Sequence, residues 1–219
     1  MNEEIKKKAW PTKEAMEQVY DLKLWGNNGS NFYSGDGSHN PDIVRPYIEV
    51  VTTFLQSTEH QLVVCDLGCG DFNIGKQLMK YAEKYIAVDI VSSLISDNKE
   101  KFKAENLEFL CLDIAKDQLP KADCVILRQV LQHLSNAEIQ SIVEKLNNFK
   151  YIILTEHLPE GEFSPNKNII SGQGIRLKKR SGVNLLSPPF NLKVKEEAKL
   201  LLFNLGNGKG VIATTLYRI

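Results

Sequence analysis

An α/β fold built on a mostly parallel sheet is predicted by three observations. Short apolar runs close on an acidic residue, those runs recur at the spacing of strand–helix–strand units, and a glycine-rich turn follows the first of them. The first run, Leu62 to Cys65, is continuously apolar, as a strand buried on both faces of a parallel sheet is. Asp66-Leu67-Gly68-Cys69-Gly70-Asp71 holds too much glycine to extend that strand and predicts a tight turn with uncovered backbone. Ile74, Leu78 and Tyr81/Ala82 then recur at helical spacing. Strand, glycine turn and helix together form the unit that holds a nucleotide-like ligand at the carboxyl edge of a first strand.

What the turn omits narrows that ligand. A dinucleotide fingerprint requires a third glycine where Asn73 stands, and no G-x-x-x-x-G-K-[ST] phosphate loop occurs. Asp66 before the turn and Asp71 after it would repel a phosphate and welcome a cation. The turn therefore points to a positively charged nucleoside.

Two further strand ends agree. Tyr85–Val88 closes on Asp89, and Leu107–Leu112 closes on Asp113, so Asp66, Asp89 and Asp113 fall 23 and 24 residues apart. Successive strands of a right-handed parallel sheet bring such ends along one edge, which predicts three carboxylates facing one crevice. Asp89 is then placed for the ribose hydroxyls, Asp113 for the exocyclic amine of adenine and Asp66 for the cationic end. Taken singly, each acid also reads as a helix cap.

Through VVCDLGCGDFNIGKQL, IAVDI, FLCLDI and DCVILRQVLQHLS, over residues 60–155, the chain resembles the class I S-adenosylmethionine-dependent methyltransferases. The resemblance implies a three-layer α/β/α fold with a mostly parallel seven-stranded sheet and a reversed C-terminal strand. It implies S-adenosyl-L-methionine as cofactor, held by Asp66, Gly68, Cys69, Gly70, Asp89, Ile90, Asp113, Ile114 and Arg128. Phe72 replaces a glycine common at that position and is expected to narrow the methionine end of the pocket. A YSGxGS-like element near the N-terminus and a late PPF suggest a bacterial-type subfamily.

The 219 residues suit one methyltransferase domain: N-terminal helices and a lid loop over 1–58, the cofactor core over 60–155, and a substrate-facing loop with a C-terminal hairpin over 156–219. Thr12 is expected to cap a helix running to about Leu24, with Met16, Val19 and Tyr20 on one face. Gly26 to Asn40 reads either as a connector or as a lid whose Phe32 and Tyr33 fold over the site, Tyr33 then touching substrate. The next helix spans Pro41 to Leu55 and presents Val44, Tyr47/Ile48, Val51 and Leu55 to the sheet. A fourth strand, Asp123–Leu127, leads to Arg128, a candidate for cofactor or substrate or a structural ion-pair partner, and to His133, the candidate general base. Ser135-x-x-Glu138 is a capping box for a helix with Ile139, Ile142/Val143 and Leu146 inward.

A fifth strand, Tyr151–Leu154, ends on Thr155, Glu156 and His157, the latter two being weaker catalytic candidates. Leu158 to Gly174 is the expected substrate-facing loop. Arg176, Lys178, Lys179 and Arg180 alternate with apolar residues as on an exposed strand, Arg176 being a candidate grip on an acidic acceptor. Ser187-Pro188-Pro189-Phe190 lies too late in the chain for the amine ledge of base methyltransferases and reads as a stiff turn. A hairpin, Lys199–Leu205 and Gly210–Tyr217, closes the fold.

Lys+Arg and Asp+Glu number 27 each, so the net charge is zero and a nucleic-acid partner is disfavoured. No transmembrane run is present, and Lys6, Lys7 and Lys8 precede no apolar segment, so neither a membrane span nor a secretory signal is expected. Cys65, Cys111 and Cys124 fall in strands and read as buried reduced thiols, which suggests the cytoplasm and no metal site. The expected acceptor is a small molecule or a glycan, methylated on oxygen or nitrogen. The rivals are an RNA or protein methyltransferase and a cofactor-binding module without catalysis. Oligomeric state is not legible.

Overall fold

The computed structural model describes residues 10–219, and Lys6, Lys7 and Lys8 lie outside the described residues. Seven strands form one sheet: β1 (Val63–Leu67), β2 (Lys84–Asp89), β3 (Leu107–Cys111), β4 (Cys124–Arg128), β5 (Tyr151–Leu158), β6 (Glu196–Asn204) and β7 (Val211–Arg218). Their order is β3-β2-β1-β4-β5-β7-β6, and only the pairings of β7, with β5 and β6, are antiparallel. Side chains alternate faces along the central strands and both faces are covered. Cys65, Leu67, Ile86, Val88, Val125 and Leu127 join one core, and Val64, Tyr85, Ala87, Cys124 and Ile126 the other. Continuous apolar runs are the sequence form of such two-sided burial.

Helices α1 (Thr12–Asp21), α2 (Asp36–His39), α3 (Pro41–Gln56), α4 (Gly75–Leu78), α5 (Ser92–Lys101) and α6 (Asn136–Leu146) surround the sheet. Asn40 caps α3, whose Val44, Tyr47, Val51 and Leu55 are buried, and Ser135 with Glu138 forms the expected capping box of α6. On the α6 face much of the cover is irregular chain, with Val183, Leu185, Phe190 and Leu192 in the core.

Five local expectations need correction. Thr12 does not cap α1: Pro11 precedes the helix, the Thr12 hydroxyl binds Glu138, and the helix ends at Asp21. Phe72 does not narrow the pocket; at φ 60° it turns fully into the core against Tyr85, Phe102 and Phe109. Cys111 is exposed. β5 continues past Leu154 because β7 pairs with it through Thr155↔Thr214 and Leu158↔Val211, so Glu156 and His157 are strand residues. The basic cluster is no strand: Arg176–Lys179 is a 3-10 turn that ends on Arg180 at φ 48°.

Candidate functional site

The parallel register places the three acids as a staircase. Leu67, Val88 and Leu110 share one row; Asp66 lies one position before it, Asp89 one beyond and Asp113 three beyond. All three line one cavity of about 380 Å³, together with Gly68, Cys69, Gly70, Ile90, Ile114, Arg128 and His133. The turn below β1 is held by Gly68 N–H and Cys69 N–H, which donate to the Val88 carbonyl at 2.8 and 2.9 Å. Gly68 at φ 81° and Gly70 at φ 55° adopt the left-handed conformation that glycine tolerates best. A Cβ at Gly68 would run into Val130, and one at Gly70 into Ser34.

Asp89 Oδ2 accepts from Gly70 N–H at 3.0 Å and Oδ1 from Val91 N–H at 3.1 Å. Burial still raises its pKa against those two amides. Asp66 accepts from the Tyr85 hydroxyl at 2.9 Å, and burial pushes its pKa to about 6, opposed by Tyr85 and Arg128. Asp113 turns partly to its own loop, accepting from Ala115 N–H at 3.0 Å and pairing with Lys116 at 2.7 Å. Two buried carboxylates thus sit in a site whose floor is bare backbone, where an incoming cation would favour their charged forms.

Segment 34–39 covers this floor. Asp71 Oδ2 accepts from Ser34 N–H at 2.9 Å and meets His39 Nε2 at 2.6 Å, while Asp71 N–H donates to Ser34 Oγ at 2.8 Å. Asp71 therefore grips the cover and does not line the cavity. From the other side Arg128, buried and stacked 4.6 Å over the Tyr47 ring, donates to the Gly37 carbonyl at 2.5 Å and to Ser38 Oγ at 3.3 Å. Tyr33 lies outside the cavity, its hydroxyl donating to Asp36 at 2.6 Å; Tyr20 and Trp25 are the aromatic residues that face in.

His133 also lines the cavity, in the 3-10 turn Leu131–His133. Trp25 lies 5.1 Å from its ring, and burial lowers its pKa to about 4. Gln132, Glu138, Gln173 and Ile175 complete this wall, and Gln173 donates to the Leu24 carbonyl at 3.0 Å, joining the late loop to the N-terminal segment. Glu156, His157 and Arg176 do not line the cavity. Glu156 is buried, has no side-chain hydrogen-bond partner among the described residues, and its pKa rises to about 8 through burial. His157 Nε2 meets the Lys209 carbonyl at 2.7 Å, in the β6–β7 turn. Arg176 is buried, with its guanidinium on backbone carbonyls, and grips no acceptor. Trp25 and Gln173 had no sequence signal beyond their place in long loops.

Residues 64–149 match a protein family described as a methyltransferase domain. Solved structures with the same fold include the N-methyltransferase NodS from Bradyrhizobium japonicum WM9 in complex with S-adenosyl-L-homocysteine. It is 10% identical, with a TM-score of 0.66 over 93% of this chain and 98% of that one. The magnesium protoporphyrin IX methyltransferase of Synechocystis PCC 6803, with bound S-adenosyl-L-homocysteine, is 15% identical, with a TM-score of 0.60 over 95% of this chain and 100% of that one. Human N-acetylserotonin methyltransferase, in complex with S-adenosylmethionine, is 16% identical, with a TM-score of 0.58 over 95% of this chain and 60% of that one. No curated protein matches the chain in sequence. The matched segment is that of a methyltransferase domain, and the seven-stranded sheet with its reversed C-terminal strand is the Rossmann-like fold of these solved methyltransferase structures.

Proposed function

We propose that this protein transfers a methyl group from S-adenosyl-L-methionine to an oxygen or nitrogen of a small molecule or glycan, within the cavity under segment 34–39. One observation carries the reading: Asp66 and Asp89 are 5% and 8% exposed in a cavity floored by the backbone of Gly68–Gly70. Buried carboxylates call for a counter-charge, and a sulfonium nucleoside brings one. Asp89 keeps lone pairs for ribose hydroxyls beyond the two amides it binds. Ile90 and Ile114 offer apolar surface to adenine, and Asp113 is assigned to its exocyclic amine. Asp66, Gly68, Cys69 and Gly70 are assigned to the cationic amino-acid end.

The cofactor, when bound, supplies an electrophilic methyl group. The chain's own residues align the acceptor and keep out water, which is the larger part of catalysis for such a transfer. Arg128 acts here by holding the cover through Gly37 and Ser38. Zero net charge and the burial of Arg176 support a small acceptor over a polyanion.

Incubation with methyl-labelled cofactor and a fractionated extract tests the proposal. Label is expected in the low-mass or glycan fraction. Label in RNA or protein would redirect the acceptor, and cofactor binding without transfer to any fraction would leave a binding module.

A further inference from the structure

We infer that His133 is held as the neutral tautomer with its proton on Nδ1, and that it positions the 172–174 segment beside the cavity instead of taking a proton from the acceptor. The meaning of the cavity rests on the methyltransferase reading; the tautomer does not.

The orientation of the Gln132 amide decides the matter. Amide oxygen and nitrogen have nearly the same shape, so their places are assigned by their partners. One partner here cannot reverse its role: the backbone N–H of His157 donates to Gln132 Oε1 at 3.0 Å. The other end of the amide, Nε2, is therefore a donor, and it lies 3.2 Å from His133 Nε2. A donor facing that nitrogen needs a lone pair, so Nε2 is bare and a neutral ring carries its hydrogen on Nδ1. An imidazolium would set two donors face to face.

The surroundings agree. Nδ1 is closed to solvent and has no hydrogen-bond partner among the described residues, while the backbone of Gly172, Gln173 and Gly174 favours a proton on the ring. Gly172 N–H donates to the His133 carbonyl at 3.0 Å, so the segment is tied to the backbone of the same residue. Arg176 is the charged group beside the imidazole and opposes its protonation. Glu138, the carboxylate on the same wall, is taken by Ser135, Ser171 and Thr12. Trp25 covers the ring. An acceptor in this cavity must therefore be nucleophilic without His133 as base.

Long-range proton–nitrogen correlation spectra of protein with labelled histidine read the two nitrogens of each of its 4 imidazoles separately. His133, assigned by its disappearance in His133→Asn, is expected to show a protonated Nδ1 and a bare Nε2. It should stay neutral down to about pH 5, below the ordinary histidine value near 6.5. A protonated Nε2, or a ring titrating near that ordinary value, overturns the inference. Gln132→Glu replaces the donor by an acceptor and should move the proton to Nε2; an unmoved proton also counts against it. For positioning, an Asn amide reaches the place of Nδ1 and a Gln amide that of Nε2. Slow hydrogen exchange of the Gly172 N–H, which donates to the His133 carbonyl, should survive in His133→Asn and be lost in His133→Gln; equal loss in both overturns the positioning role. Calorimetry with S-adenosyl-L-homocysteine separates the two readings. A confirmed tautomer without binding would sink the methyltransferase reading alone.

Discussion

Both carboxylate oxygens of Asp89 accept backbone N–H groups, from Gly70 and Val91, and the side chain still lines the cavity. It therefore shapes the glycine turn and faces the ligand at once. Asp66, one position short of the strand end, has only the Tyr85 hydroxyl and the more distant Arg128 charge to offset its burial. The two acids thus share a need for positive charge, but Asp89 alone is preorganised by the backbone. Asp89→Ala should weaken S-adenosylmethionine binding by at least about 1.5–3 kcal/mol, roughly 10- to 150-fold, as expected for hydrogen bonds to a charged group. Calorimetry that finds the affinity unchanged would remove the ribose from Asp89.

The 3-10 turn Leu131–His133 points its carbonyls away from any regular ladder, and Arg176 meets them from a second 3-10 turn. Its guanidinium donates to the carbonyls of Leu131, Gln132 and Leu134 at 3.1, 3.2 and 2.7 Å, to Lys167 at 3.0 Å and to Asn136 Oδ1 at 2.8 Å. All the donor directions of the group are thereby used. One side chain links the post-β4 segment, α6 and the late loop, which is the wall that carries His133. Arg176→Ala leaves several buried carbonyls unpaired and should cost at least about 3 kcal/mol in urea unfolding. Arg176→Lys should recover only part, because an ammonium lacks the planar fork. A loss under about 1 kcal/mol in the alanine variant would mean that water replaces the clamp.

At the scale of the whole molecule, stability should depend on pH through Glu156. Burial raises its pKa from an ordinary 4.5 to about 8, against the lowering effect of Arg176 and nearby backbone amides. Between those values the folded chain binds more protons than the unfolded one, so the stabilisation is present below about 4.5 and is lost as pH rises through about 8. Glu156→Gln keeps the shape and removes the titration. The unfolding temperature of the variant should gain on the unaltered protein steadily as pH is raised across that window. Parallel curves would show that Glu156 ionises without penalty. No helix among the described residues is long and apolar enough to cross a membrane.

The sequence by itself determined the elements whose signal is local. Two-sided burial wrote the central strands as apolar runs, turn chemistry marked Gly68 and Gly70, and Ser135 with Glu138 announced α6. The acids at the strand ends followed, since a repeating strand–helix unit fixes where its ends emerge. Only the tertiary structure decided which way side chains outside that repeat would point. Phe72 went to the core and Arg176 to buried carbonyls, Trp25 faced the cavity that Tyr33 misses, and β5 lengthened because β7 lay beside it. Each of those outcomes is set by a partner far along the chain, and a pattern read a few residues at a time holds no record of it.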